Sequence, residues 1–265
     1  MLSEMRARGF RKAAGIFLTA AGLCGFGASV ATATPSTQVW IPSTDIQPYK
    51  TVHLNFDTYL RDGSNDDGSR TAPLVVIGPT VGILPYQKIQ AEIGFDYMSG
   101  GGPADNHPLY FHAKLGTPED SLYKFSPAIA VGGYNFGTKN GDARQGELAT
   151  NQDIFYGLVA KTIPVIGRLS AGYYAGNRKV LLDQNGESDG KGLLLSWDRV
   201  MTEISDKLWL AVDYQGGDSA LGALSFGASW AFAKNVSVLL GYDIYNEELT
   251  GGQNTVTLQV DINFP

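Results

Sequence analysis

Few side chains in this sequence are suited to covalent chemistry. There are three histidines, His53, His107 and His112. A lipid-cleaving site of the His-x-Ser type needs a histidine base with a serine nucleophile two residues on. Asn55, Leu109 and Lys114 occupy those positions instead. Asp105 and His107 could pair at a loop tip, but nothing in the sequence orients the imidazole, so the pair reads as a polar turn. There is no Gly-Lys-Ser/Thr phosphate loop and no Cys-x-x-Cys-His haem attachment. Two oxygen-rich runs, 62–68 and 183–190, lack the spacing and distal Glu of a calcium loop and read as solvated. No catalytic residue, metal or cofactor is expected. What remains is a set of charges spaced at every second position, and their chemistry depends on the elements that carry them.

Those elements are strands. Over residues 255–264 apolar Val256, Leu258, Val260, Ile262 and Phe264 alternate strictly with Thr255, Thr257, Gln259, Asp261 and Asn263. Period-two alternation sends one set to each face of a strand. The same pattern recurs over residues 51–60, 88–98, 108–116, 168–176, 208–215, 224–232 and 236–245. Residues 74–84 and 125–137 contain Pro79 and Pro127 and predict bent or shorter strands, since proline removes a ladder donor. Residues 153–163 and 193–204 are apolar enough for strands, but their faces do not separate. The total is twelve. The connections alternate short and long, the long ones rich in Gly, Asn and Asp. A β-sandwich has no reason to gather its long loops at one end, and it hides its apolar faces as two layers. An even-numbered closed barrel predicts both features, and in lipid only a closed sheet leaves no backbone group unpaired.

The N-terminus predicts export. Arg6, Arg8, Arg11 and Lys12 precede an uncharged apolar run, residues 13–30, and Ala31-Thr32-Ala33 supplies small residues for cleavage after Ala33. Residues 1–33 are therefore expected as a signal peptide. Leu23 before Cys24 does not fit a lipid-anchoring site. Removal takes away Cys24, four basic residues and Glu4, leaving 16 basic against 25 acidic side chains. Such an acidic chain without basic clusters is not expected to bind nucleic acid. No later stretch is long and apolar enough for a transmembrane helix. Residues 34–50, with Pro35, Pro42 and Pro48, predict an extended Pro-rich periplasmic lead-in ahead of a barrel over 51–265.

The export signal, the alternating strands, the 33 glycines and the terminal strand ending in Phe264 resemble the outer-membrane β-barrel class of Gram-negative bacteria. The resemblance is architectural. It implies the cell outer membrane, contact with lipid and lipopolysaccharide, and recognition of the C-terminal strand by the barrel assembly machinery. Pro265 after Phe264 departs from the usual aromatic end.

Placed on that ladder, Asp57, Asp96, Asp213 and Asp243 predict an acidic mouth in the outer half of the lumen. Lys88, Lys114, Lys161 and Arg168 predict a basic collar in the periplasmic half. Glu92, His112, Tyr110 and Asp261 complete the expected inward set. Charged rings in a confined lumen set ion preference. The expected function is a small porin-like channel for passive solute or ion passage. The alternative is a sleeve that seats a periplasmic or surface partner, such as an electron-transfer cytochrome. The inward charges could equally pair and plug the lumen, because twelve strands lie between filled eight-stranded and open sixteen-stranded barrels.

Overall fold

The computed structural model describes residues 36–265 apart from residue 66, so the signal-peptide expectation lies outside the described residues. Twelve antiparallel strands run in chain order: β1 Val52–Arg61, β2 Leu74–Gly82, β3 Gln90–Ser99, β4 Leu109–Thr117, β5 Ala128–Gly137, β6 Ile154–Ile163, β7 Gly167–Ala175, β8 Lys191–Val200, β9 Leu208–Gln215, β10 Ala223–Ala233, β11 Val236–Tyr245 and β12 Thr255–Phe264. Each pairs with its sequence neighbours. β12 then closes on β1, from Val52↔Phe264 to Arg61↔Thr255, giving a closed barrel with no free edge. The terminal alternating strand is thus the closing strand, its polar row facing in.

The connections between strands sort by end. At the end where β1 begins they are 7, 10, 3, 7 and 2 residues long; at the other they are 12, 9, 16, 15, 7 and 9. The alternation in the sequence is therefore a physical asymmetry of the barrel, with a short-turn end and a long-loop end.

Pro79 sits inside β2. The β2–β3 ladder pairs Ile77↔Tyr97 and resumes at Thr80↔Gly94, leaving Gly78 and Pro79 unpaired on that side, as a residue without an N–H requires. Pro127 lies just ahead of β5.

The outer wall carries large apolar side chains open to the surroundings, among them Phe56, Ile93, Phe111, Val159, Leu195 and Leu240. Trp230, Phe232 and Phe264 lie toward the short-turn end and Tyr97 toward the long-loop end, all exposed. Exposed apolar side chains on this scale are rare on a protein that faces water all round.

The two strands with unreadable faces are now assigned. β6 turns Ile154, Tyr156, Leu158 and Ala160 inward and Phe155 and Val159 outward; β8 turns Leu194, Ser196 and Asp198 inward and Leu193 and Leu195 outward. β6 is apolar on both faces because its inner face packs against protein. An apolar cluster of Ile154, Tyr156, Leu158, Tyr174, Leu181, Leu194 and Leu221 lies inside the barrel, and the residue at its heart is Ile41.

Candidate lumenal site

Ile41 comes from the segment expected as a lead-in. That segment does not run free of the barrel. Residues 36–43 form a hairpin inside it, with Thr37 bridged to Pro42, Gln38 N donating to Ile41 O at 2.8 Å, and Ser43 N to Ser36 O at 3.1 Å. Tyr49 bridges to Gly82 at the short-turn end, so the chain enters there and turns back at Val39-Trp40.

Each part of the hairpin has a seat on the wall. At the tip, the backbone N–H groups of Val39, Trp40 and Ile41 converge on one carboxylate oxygen of Asp213, at 2.7, 2.9 and 3.4 Å. The Val39 carbonyl accepts from Gln259 Nε2 at 2.8 Å. The Val39 side chain lies over Gly227 and Gly241, where an added Cβ would stand 3.3 and 3.1 Å from its methyl carbons. These two inward glycines make the space that the hairpin tip fills. Trp40 donates its indole N–H to Leu221 O at 2.9 Å and stands edge-on to Tyr59 and Tyr245, ring centres 5.4 and 5.7 Å away.

Lower down, the anchors are ionic. Arg168 bridges Asp45, at 2.7 Å to each oxygen, and Asp198, at 2.9 Å. Asp198 also accepts from Gln38 Nε2 and Trp209 Nε1, both at 3.1 Å. Glu92 accepts from Ser36 Oγ at 2.9 Å and Gln47 N at 2.6 Å, and pairs with Lys114 at 3.0 Å. Lys114 in turn donates to the carbonyls of Ser36 and Asp45. Buried charges are tolerable only when paired and hydrogen-bonded, and here the hairpin backbone supplies much of that pairing.

The hairpin fills the side of the lumen walled by β6–β11. A cavity of about 520 Å³ remains toward β1–β5. It reaches from Gly100, Asp105 and Thr250 among the long loops down to Glu92, Lys114 and Ser36. Asp57 and Asp96 line it. Asn55 Nδ2 donates to Asp57 at 3.0 Å. Asp96 leans over Gly78, where an added Cβ would collide with its carboxylate and with Phe95 O, and it lies 3.8 Å from His112 Nε2. Lower in the cavity, His53 pairs with Asp261 at 3.3 Å, its other nitrogen 3.1 Å from Asn263 Oδ1. At the loop rim Asp105 accepts from Gly100 N, Ser99 Oγ and Gly101 N, and these bonds hold its carboxyl below the usual carboxylate range. Those partners leave no Asp105–His107 hydrogen bond among the described residues.

The expected charge rings are thus redistributed. Of the acidic mouth, Asp57 and Asp96 face the cavity, Asp213 holds the hairpin tip, and Asp243 is fully buried, accepting from Thr255 Oγ1 at 2.7 Å. Of the basic collar, Lys114 and Arg168 are inside and committed to the hairpin. Two placements are corrected. Lys88 lies exposed in the turn before β3. Lys161 has the outward parity of β6 and pairs with Glu119 and Asp120 of the β4–β5 turn at 3.0 and 2.9 Å. Its row follows from β6 turning Ala160 inward. Glu92, His112, Tyr110 and Asp261 all face in. Asp45 and Asp198 belong to the site and were not singled out from sequence, and His53, weighed there only as a catalytic base, belongs to the lumenal set. Alternation with Leu195 and Trp197 could have placed Asp198; no periodicity marks Asp45. No group of three metal-ligating side chains occurs among the described residues.

No family model and no curated protein matches the chain. Solved structures similar to it include an outer membrane channel from Pseudomonas putida F1, at 13% identity and a TM-score of 0.48, over 83% of this chain and 97% of that one. The KdgM porin is 10% identical at a TM-score of 0.49, over 80% and 99%, and the NanC porin 12% identical at 0.43, over 80% and 99%. The closed antiparallel β-barrel itself is established by this chain's own strand pairing.

Proposed function

We propose that this chain is a narrow outer-membrane channel for passive passage of small solutes or ions, constricted by its own N-terminal hairpin. The observation that carries the reading is the 520 Å³ cavity between the hairpin and the β1–β5 wall, with Asp57 and Asp96 along it. The apolar outer belt supports a membrane setting. The short-turn end then faces the periplasm and the long loops face outward, in contact with lipopolysaccharide. The closing strand β12 is the segment the assembly machinery would read. Cations are the favoured permeants, because Lys114 and Arg168 are paired within the lumen whereas Asp57 and Asp96 have no Lys or Arg partner among the described residues. The reading is non-enzymatic. Planar-bilayer recording of the purified protein tests it: discrete steps with a cation-selective reversal potential are expected, and an absence of steps in every salt refutes it. The sleeve alternative draws on the Pro-rich lead-in and on the absence of a solute motif; residues 36–47 of that lead-in are occupied within the lumen, which favours the channel reading.

A further inference from the structure

The wall of the cavity is not that of a plain water-filled pore. Next to both Asp57 and Asp96, neither of which has a Lys or Arg partner among the described residues, stands an aromatic ring. Tyr59 is two residues beyond Asp57 on the same inward row, and Tyr110 is the cross-strand partner of Asp96. Trp40 stands edge-on against Tyr59, and the rings of Tyr134 and Tyr156 lie tilted to each other, centres 5.9 Å apart, on the adjoining wall. Leu74, Val76 and Met98 complete an apolar flank. The two carboxylates converge: Asp57 is bonded to Asn55, Asn55 is paired directly with Gly78, and Asp96 lies over Gly78. Of the basic side chains lining the same cavity, His112 stands 3.8 Å from Asp96, and the others are engaged elsewhere. Lys114 pairs with Glu92. Arg61 donates to Gln253 O and lies over the Tyr245 ring at 4.9 Å. His53 faces Asp261.

Two carboxylates without a Lys or Arg partner among the described residues, beside aromatic rings, in a volume within the ~300–1,000 Å³ of small-molecule sites, describe a receptor for one chemical class. We propose that the cavity binds small organic cations, amines with an apolar body, seating the ammonium against Asp57 and Asp96 and the body against Tyr59, Tyr110 and Trp40. A carboxylate supplies the charge-assisted contact, and the ring faces attract a cation more strongly when it is desolvated. A hydrated inorganic ion would use the carboxylates and leave the aromatic surface idle. This inference deepens the channel reading and rests on it for the route; binding itself requires no conduction.

The test uses three probes that share a ring and differ in charge: phenethylamine, 2-phenylethanol and 3-phenylpropionate. Saturation-transfer NMR on the full-length protein in detergent reads their binding at equilibrium. Phenethylamine is expected to bind saturably, the alcohol about tenfold more weakly, and the carboxylate not at all. Asp57→Asn and Asp96→Asn should each weaken phenethylamine about tenfold. Asp243→Asn, which changes a carboxylate outside the cavity, should leave it unchanged. Heat-modifiable gel migration confirms that each variant is a closed barrel. Equal binding of the three probes, or amine binding that survives both substitutions, overturns the proposal. Conductance without amine preference sinks this inference alone, and amine binding without conductance sinks the channel reading alone.

Discussion

Replacing Asp213 by Asn should loosen the hairpin without disturbing the wall that holds it. One carboxylate oxygen accepts from three consecutive N–H groups, two of them at good distances, 2.7 and 2.9 Å, and the third at 3.4 Å. A hydrogen bond to a charged acceptor contributes ~1.5–3 kcal/mol and a neutral one ~0.5–1.5. Asn keeps an acceptor but not the charge, so each good bond loses about 1 kcal/mol, and the weak third bond is left out. The buried carboxylate also has a desolvation cost that a flooded lumen would relieve, which argues against a larger figure. A loss of about 2 kcal/mol is roughly a thirtyfold rise in the fraction of time the hairpin is out. Native-state hydrogen exchange reads that fraction directly, because the amides of residues 39–41 exchange only when they leave Asp213. Their protection should fall about thirtyfold, while the strand amides of β9 and β10 keep theirs. Asp243→Asn, on the same inward row but bonded to Thr255, is the control and should leave the hairpin amides alone. Unchanged protection of residues 39–41 in Asp213→Asn would refute the view that this carboxylate seats the hairpin.

Other outcomes follow from the same geometry. Deleting residues 36–47 empties the β6–β11 side of the lumen and should raise single-channel conductance about two- to fivefold, since the hairpin is the main obstruction; equal conductance would show that the narrow point lies elsewhere. Gly78→Ala places a methyl against Phe95 O and the Asp96 carboxylate, so it should destabilise the barrel by about 1–3 kcal/mol in denaturant unfolding and lower cation selectivity as Asp96 swings away. Lys161→Ala removes a solvent-screened rim pair on the outer wall; it should leave the denaturant midpoint and the reversal potential as they were, whereas a shift in selectivity would return Lys161 to the lumen.

Strand number, order and closure were legible because the outer wall alternates with the inner one nearly everywhere. Where alternation failed, the cause was packing. Residues 154–160 read as one apolar run because β6 exposes apolar side chains on its outer face and packs against Ile41 on the other, so no polar row marks the lumen. The same ambiguity left Lys161 on the inner face and Asp198 unassigned. Lys88 was misplaced for another reason: β3 begins two residues later, at Gln90, so its alternation extended into a turn. The hairpin was the largest gap. Residues 36–47 make few hydrogen bonds among themselves, and their order comes from distant partners such as Asp213, Arg168 and Glu92. Nothing local in the sequence announces contacts separated by more than a hundred residues, as in Asp45 with Arg168.

The inserted segment as a whole, residues 36–47, is joined to β1 by only four residues, 48–51, and three of these, Tyr49, Lys50 and Thr51, are already tied to Gly82. It is therefore an intramolecular ligand for its own barrel. A tether that short holds it near its seat at an effective concentration on the order of millimolar or more. A free solute competing for the same surface displaces it only where its concentration, measured against its own Kd, exceeds that effective concentration measured against the hairpin's, and the seat refills once the solute leaves. Widening of the lumen is accordingly set by the ratio of two occupancies, one of them fixed by chain length.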